Sequence, residues 1–222
     1  MKFKHVALEQ VVPTLKQVNE NGTRYYVTPE GYKYPSITTV LSEYNRKQIY
    51  EWRQRVGEEQ ANLISRQASS RGTRIHKLCE DYLNNEEPKF KTPLDTELFH
   101  SIVPELARIN NIHAQELRMY SDHLRIAGTV DCIGEHDGRI SVIDFKTAKR
   151  QKRQEDIENY FMQAAAYAIM FEERIGIPIQ KLVILIAVDD SSPQVFIEKR
   201  DNFVESLLYY RDLYESKSGL YI

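Results

Sequence analysis

Two short apolar stretches, each carrying one aspartate, constrain this chain most: Gly128-Thr129-Val130-Asp131 and, thirteen residues on, Ile143-Asp144-Phe145-Lys146-Thr147. Successive side chains of a strand alternate between its faces. Asp144 and Lys146 therefore project to one side and Phe145 to the other. Asp131 ends the preceding strand, and a hairpin over that distance brings it beside Asp144. Two carboxylates that close repel one another unless a cation lies between them. Hard oxygen ligands with open positions suit Mg²⁺ or Mn²⁺, and a lysine beside such an ion can orient a water. This is the equipment for metal-assisted hydrolysis of a phosphodiester. The ordinary alternative, an Asp and a Lys on a solvated sheet face, stays open on these residues alone. Against it, charged groups at the ends of buried strands need a partner or a metal.

The pattern around this pair predicts a mixed fold. Arg24–Val27 and Tyr32–Tyr34 flank a turn at Thr28–Gly31, a hairpin signal. Ser36 is a candidate cap for a helix with Ile37, Val40, Leu41 and Tyr44 on one face. Helices are expected over Lys47–Val56, over Glu58–Leu83 with a bend near Ser69–Gly72, and over Asp95–Asn110. The period then changes. Gln115–Tyr120, Leu124–Gly134 and Arg139–Lys146 read as three strands, with His136-Asp137-Gly138 a hairpin turn. A helix over Asp156–Ile175, started by Asp156 and stopped by Gly176 and Pro178, is followed by strands at Leu182–Val188 and Gln194–Glu198 and a helix over Asn202–Glu215. The order predicts an α/β (α+β) fold: a mixed central β-sheet flanked by helices, with the aspartate strands central.

At 222 residues and 41% hydrophobic content the chain is sized for one large domain. A net charge of −2 argues against a coat of non-specific nucleic-acid binding, but the charge is uneven. Arg46–Lys77 holds eight Lys or Arg against three acids, and Lys146–Arg153 holds five basic residues and no acid. Such runs can track phosphates, or form solvated helix faces. Cys79 and Cys132 are too few for a disulfide framework or a four-cysteine iron–sulfur cluster, and both read as buried reduced thiols. No apolar run reaches the length of a membrane span. No signal peptide or transit pattern is seen, so the expected location is the cytoplasm of a bacterial or phage-infected cell.

Further polar residues fall around the aspartates. Glu116 opens the first meander strand and could add a third carboxylate, or be a surface strand residue. His76 lies beside the apolar stripe Ile75, Leu78, Cys79 and Tyr82, as a structural residue or a ligand. Gln163 and Tyr167, four apart, share one helix face around Ala164-Ala165-Ala166.

Taken in order, Gly72-Thr73-Arg74-Ile75-His76, Glu116, Gly128–Asp131, Ile143–Thr147 and Gln163-Ala164-Ala165-Ala166-Tyr167 resemble the RecB-type branch of the PD-(D/E)xK nuclease superfamily. Tyr34–Leu41 is similar to the N-terminal part of phage and mitochondrial exonucleases of that branch. Val130 stands where the superfamily name has proline. The resemblance covers residues 34–200 and implies a restriction-endonuclease-like core over 113–222. It leaves residues 1–112 as an N-terminal hairpin and helical region of the same domain, arching over the site.

The resemblance further implies that Asp131 and Asp144, the backbone carbonyl of Phe145, His76 and Glu116 hold Mg²⁺ or Mn²⁺, with no iron–sulfur cluster. Lys146 would position the attacking water. Gln163 and Tyr167 would organise the site. DNA, single-stranded at an end or flap, is the implied partner. Lys149, Arg150, Lys152 and Arg153 would hold phosphates on one wall and Arg66, Arg71 and Arg74 on the other. Tyr44, Trp52 and Tyr82 are candidate base-stacking residues. The expected activity is a monomeric exonuclease in DNA replication, repair or recombination, with other proteins of those processes as further expected partners. The competing readings are a structure-specific endonuclease, which a dimer would favour, and a nucleic-acid-binding subunit with a relic site.

Overall fold

The computed structural model describes residues 2–10 and 12–218. A small antiparallel sheet, β1 (Lys16–Glu20), β2 (Thr23–Val27) and β3 (Lys33–Pro35), opens the chain. Helices α1 (Ile37–Val40), α2 (Arg46–Val56), α3 (Glu58–Leu83) and α4 (Pro93–Leu106) follow. Next comes the meander β4 (Ile109–Ser121), β5 (Ile126–His136) and β6 (Arg139–Ala148). Helix α5 (Glu158–Ile175) crosses over to β7 (Lys181–Val188); β8 (Gln194–Lys199) and α6 (Val204–Ser218) end the described fold. The large sheet has the order β4-β5-β6-β7-β8, with only the β6–β7 pair parallel. Parallel neighbours need a crossover, and α5 supplies it.

Strand alternation sorts the core into two layers. In β7, Leu182, Ile184, Ile186 and Val188 pack towards α5, whereas Val183, Leu185 and Ala187 pack towards α3 and α4. A strand covered on both faces reads as an unbroken apolar run. In β6, Val142 joins the α5 layer, and Ile143 and Phe145 join the α3–α4 layer. Asp144 and Lys146 therefore lie on the α5 side, as alternation predicts.

Local chemistry fixes most boundaries. Ser36 caps α1 by accepting the Thr39 amide at 3.2 Å. Thr92 and Asp95 form a capping box on α4, with Pro93 at the first turn. Asp137 and Gly138 take φ of 52° and 71°, the left-handed pair that a two-residue hairpin requires. Gly176, at φ 78°, closes α5.

Three expectations about the helices are corrected. The helix expected to reach Asn110 stops at Leu106, because Ile109 is buried by pairing in β4 instead. The bend expected in α3 is absent: the helix runs unbroken from Glu58 to Leu83. Asp156 does not cap α5; it sits in a preceding 3₁₀ turn and accepts the Arg153 amide. β1 has almost no buried face, so its polar sequence gave no strand signal. The expected boundary at residue 112 lies inside β4, and α3 packs directly against β6.

Two arginines dock α3. Arg71, buried, places Nη1 2.8 and 2.7 Å from the Asp189 oxygens and Nε 3.3 Å from Thr147 Oγ1. Arg74 Nε donates to both oxygens of buried Asp95 at 2.9 and 2.8 Å, tying α3 to α4. Removing one partner of such a pair strands the other charge. Arg71→Ala should therefore cost about 3 kcal/mol in a urea unfolding titration, and Arg71→Ala with Asp189→Ala should recover part of that loss.

Candidate active site

The β5–β6 ladder runs from His136↔Arg139 to Cys132↔Ile143 and stops there. The next residues in register are Asp131 and Asp144. Beyond this point β5 pairs with β4, apart from a single parallel bridge of Ala127 to Ser36, and β6 pairs only with β7. The Phe145 amide is left without a strand partner on that side, and Asp131 Oδ2 accepts it at 2.9 Å. Asp131 lies inside β5 rather than at its end; what ends is its pairing with β6. The N–H and C=O of an extended residue face the same neighbour, so the Phe145 carbonyl also faces the gap.

Three elements converge here. Glu116 falls between the pairs Gln115↔Cys132 and Leu117↔Val130, opposite Asp131, where the β4–β5 ladder skips a pair. Its φ of 47° is unfavourable for a residue with a side chain, a local strain of the sort found at functional sites. From α3, His76 Nδ1 comes within 3.3 Å of Asp131 Oδ1. One ligand atom each of His76, Glu116 and Asp131 lie within 4.8 Å of one another. Asp144 sits beside this trio, not within it. It is 1% exposed; its Oδ1 has no hydrogen-bond partner among the described residues, while Oδ2 meets the Lys146 ammonium. Lys146 Nζ lies 5.2 Å from the centre of the Tyr160 ring.

The protonation preferences follow from burial and charge. Partial burial of the Glu116 carboxyl in the cleft, and then the Asp131 charge, raise its pKa to about 7, although other atoms of the residue are exposed. Burial also raises Asp144, against the pull of Lys146. Asp131 is lowered: burial opposes ionisation, but the His76 and Lys146 charges outweigh it. His76 and Lys146 are both raised, because neighbouring aspartates overcome the burial that disfavours their charged forms. An orphaned buried carboxylate oxygen beside three convergent ligands fits a hard divalent cation.

On α5, Gln163 Nε2 donates to Tyr167 Oη at 3.0 Å. Ala164, Ala165 and Ala166 are fully buried, which lets the helix approach the sheet. The approach is closest at Gly128. A Cβ there would stand 2.7 Å from Tyr167 Cε1 and 3.1 Å from Ile37 Cγ2. A cleft of about 410 Å³ opens over these groups, from α3 to α5, with Arg24, Tyr26, Ser36 and Thr38 as its N-terminal wall. Ser36 and Thr38 fall in the Tyr34–Leu41 segment of the resemblance, but nothing in the sequence flagged Arg24 or Tyr26, because Tyr26 meets Thr129 across 103 positions, Oη to Oγ1 3.1 Å. Tyr160 did leave a signal, one helical turn before Gln163.

The expected DNA-contacting residues divide. Arg66, Arg71, Arg74 and Lys149 border a second cleft of about 550 Å³. Arg71 and Arg74, however, spend their charge inside the protein on Asp189 and Asp95. Arg153 pairs with Glu155 and Asp156 at 2.6 and 3.0 Å. Lys149, Arg150 and Lys152 are exposed and form no side-chain ion pair among the described residues. Arg66 is exposed and donates only to the Asn62 carbonyl, at 3.4 Å. Tyr82 packs edge-on against Phe3 and Phe99, and Tyr44 against Tyr210, with the Tyr44 hydroxyl donating to Glu158 Oε2 at 3.2 Å. Trp52 is half-buried and borders a further cleft with Lys152 and Tyr160.

The profile of the PD-(D/E)XK nuclease superfamily matches residues 51–195. The chain is 27% identical over 174 residues to mitochondrial genome maintenance exonuclease 1 of Homo sapiens, across 72% of this chain and 50% of that protein. To the Xenopus tropicalis protein of the same name it is 27% identical over 176 residues, with coverages of 72% and 50%. The chain thus spans about half the length of these relatives. A crystal structure from Eubacterium rectale aligns with a TM-score of 0.47 at 14% identity, covering 68% of this chain and 65% of that one.

Gly128→Ala should cost about 1–3 kcal/mol in thermal or urea unfolding, the usual penalty for overpacking. In the Tyr167→Ala background the same substitution should cost much less, because the ring it strikes is gone.

Proposed function

Because the chain belongs to the PD-(D/E)XK nuclease superfamily, we propose that it is a metal-dependent exonuclease hydrolysing DNA phosphodiesters at single-stranded ends. The observation that carries this reading is the meeting of His76, Glu116 and Asp131 at the sheet gap, beside the Asp144–Lys146 pair. Mg²⁺ or Mn²⁺ would be held by His76, Glu116, Asp131, Asp144 and the Phe145 carbonyl. When bound, the ion supplies a Lewis acid for the phosphoryl oxygens and an acidified water.

The protein groups have separate tasks. Asp131 is fixed by the Phe145 amide on one oxygen and approached by His76 on the other. Lys146 keeps its proton next to Asp144. Its ammonium can orient a water by hydrogen bonding and stabilise charge gathering on the phosphate in the transition state. Tyr167 is kept neutral by burial and accepts from Gln163. Its own hydroxyl proton is thus free to donate into the cleft, towards a phosphate or sugar oxygen. Attack in line with the 3′-oxygen leaves 5′-phosphate ends. Exposed Lys149, Arg150 and Lys152 would guide the strand.

The test is digestion of end-labelled linear and circular single-stranded DNA. Linear strands should be degraded and circles spared. Chelation should abolish the activity, and added Mg²⁺ or Mn²⁺ should restore it. Lys146→Ala should lower kcat by roughly 10³-fold with binding of DNA retained. Cutting of circles would replace this reading with an endonuclease.

A further inference from the structure

We propose that Arg24 is a positioning residue that grips a backbone phosphate of the strand being cut, with the Thr38 hydroxyl as a second donor on the same wall; this deepens the nuclease reading above and rests on it. Tyr26 Oη lies 3.1 Å from Thr129 Oγ1, two residues before Asp131 in β5. This contact pins β2 against the sheet beside the site. Residues two apart in a strand share a face, so Arg24 projects from the same face of β2 as Tyr26. Both line the cleft that holds His76, Glu116 and Asp131.

The charges of that cleft single Arg24 out. Glu80, Glu116 and Asp131 line it and would repel a phosphodiester. Of the cations that line it, Lys77 is engaged with Glu80 and Asp81 at 3.1 and 2.8 Å, and His76 leans on Asp131. Arg24 is exposed, and its side chain forms no ion pair or hydrogen bond among the described residues. A guanidinium presents paired donors suited to phosphate oxygens. Thr38 is exposed on the same wall, with its Oγ1 oriented by Ser36 Oγ at 2.9 Å. Ser36 is itself buried and held by the Thr39 amide, so the hydroxyl is mounted on a fixed support. The incoming anion is thereby placed between a donor wall and the metal-binding groups opposite.

The test is binding of a fluorescent single-stranded oligonucleotide by anisotropy in the Lys146→Ala background, where the probe stays intact, together with kinetics in the wild-type background. Arg24→Ala should weaken binding roughly tenfold. It should also reduce the slope of log affinity against log salt by about 0.7, the share of one phosphate contact on a single strand. KM should rise by a larger factor than kcat falls. Arg24→Lys should restore the salt slope but only part of the affinity, and Thr38→Val should weaken binding without changing the slope. A merely structural Arg24 would alter unfolding and leave the slope alone. If the wild type cuts DNA but Arg24→Ala keeps the parent affinity, slope and KM, this proposal fails by itself. A folded wild type that neither binds nor cuts a strand overturns the nuclease reading, and this one with it.

Discussion

The site depends on a hydrogen bond that replaces a missing ladder rung. Where β5 and β6 part after Cys132↔Ile143, the sheet would leave a buried amide unpaired. The Asp131 carboxylate takes that amide, at Phe145, in place of a strand. An unsatisfied buried donor costs about 1–3 kcal/mol, so the bond helps to hold the gap open. The gap matters because the sheet otherwise separates two layers. At the gap His76 of α3, coming from one layer, meets Asp131 beside the Asp144–Lys146 pair of the α5 side. Without the parting, the sheet would stand between the imidazole and the Asp144–Lys146 pair.

The electrostatics follow from the same opening. Several carboxylates are gathered within a protein whose net charge is only −2. Their pKa shifts pull in opposite directions according to whether burial or the neighbouring cations win: burial raises Glu116 and Asp144, and the cations lower Asp131. Asp131, between His76 and Lys146, is held ionised, whereas Glu116, facing Asp131, is pushed towards neutrality. A site with carboxylates set apart in this way is prepared for added positive charge.

Much of this was legible in the sequence. The period change after residue 112, the turn at Asp137-Gly138 and the apolar run of β7 sufficed for the sheet and its crossover. The alternation of Asp144, Phe145 and Lys146 gave the face of each correctly. Other parts were hidden for definite reasons. β1 has no buried face to write a pattern. The strained backbone of Glu116 lies where the β4–β5 ladder skips a pair, which propensity does not record. Arg71 and Arg74 looked like free cations because Asp189 and Asp95 are remote in sequence from them. The role of Gly128 could be read as part of a motif, but not its reason, which is the edge of the Tyr167 ring.

Helix α3 carries one more implication. Arg71, Arg74 and His76 lie within six residues of one unbroken helix, and the first two are each fastened to a different element. Each residue of an α-helix turns the chain by about 100°. Gaining or losing a single residue between Arg74 and His76 would swing the imidazole out of the cleft while the arginines held the rest of the helix in place. Between those three residues this stretch can therefore change its side chains over evolutionary time but not its length, whereas the polar connector of residues 84–92 can absorb insertions without disturbing that phase.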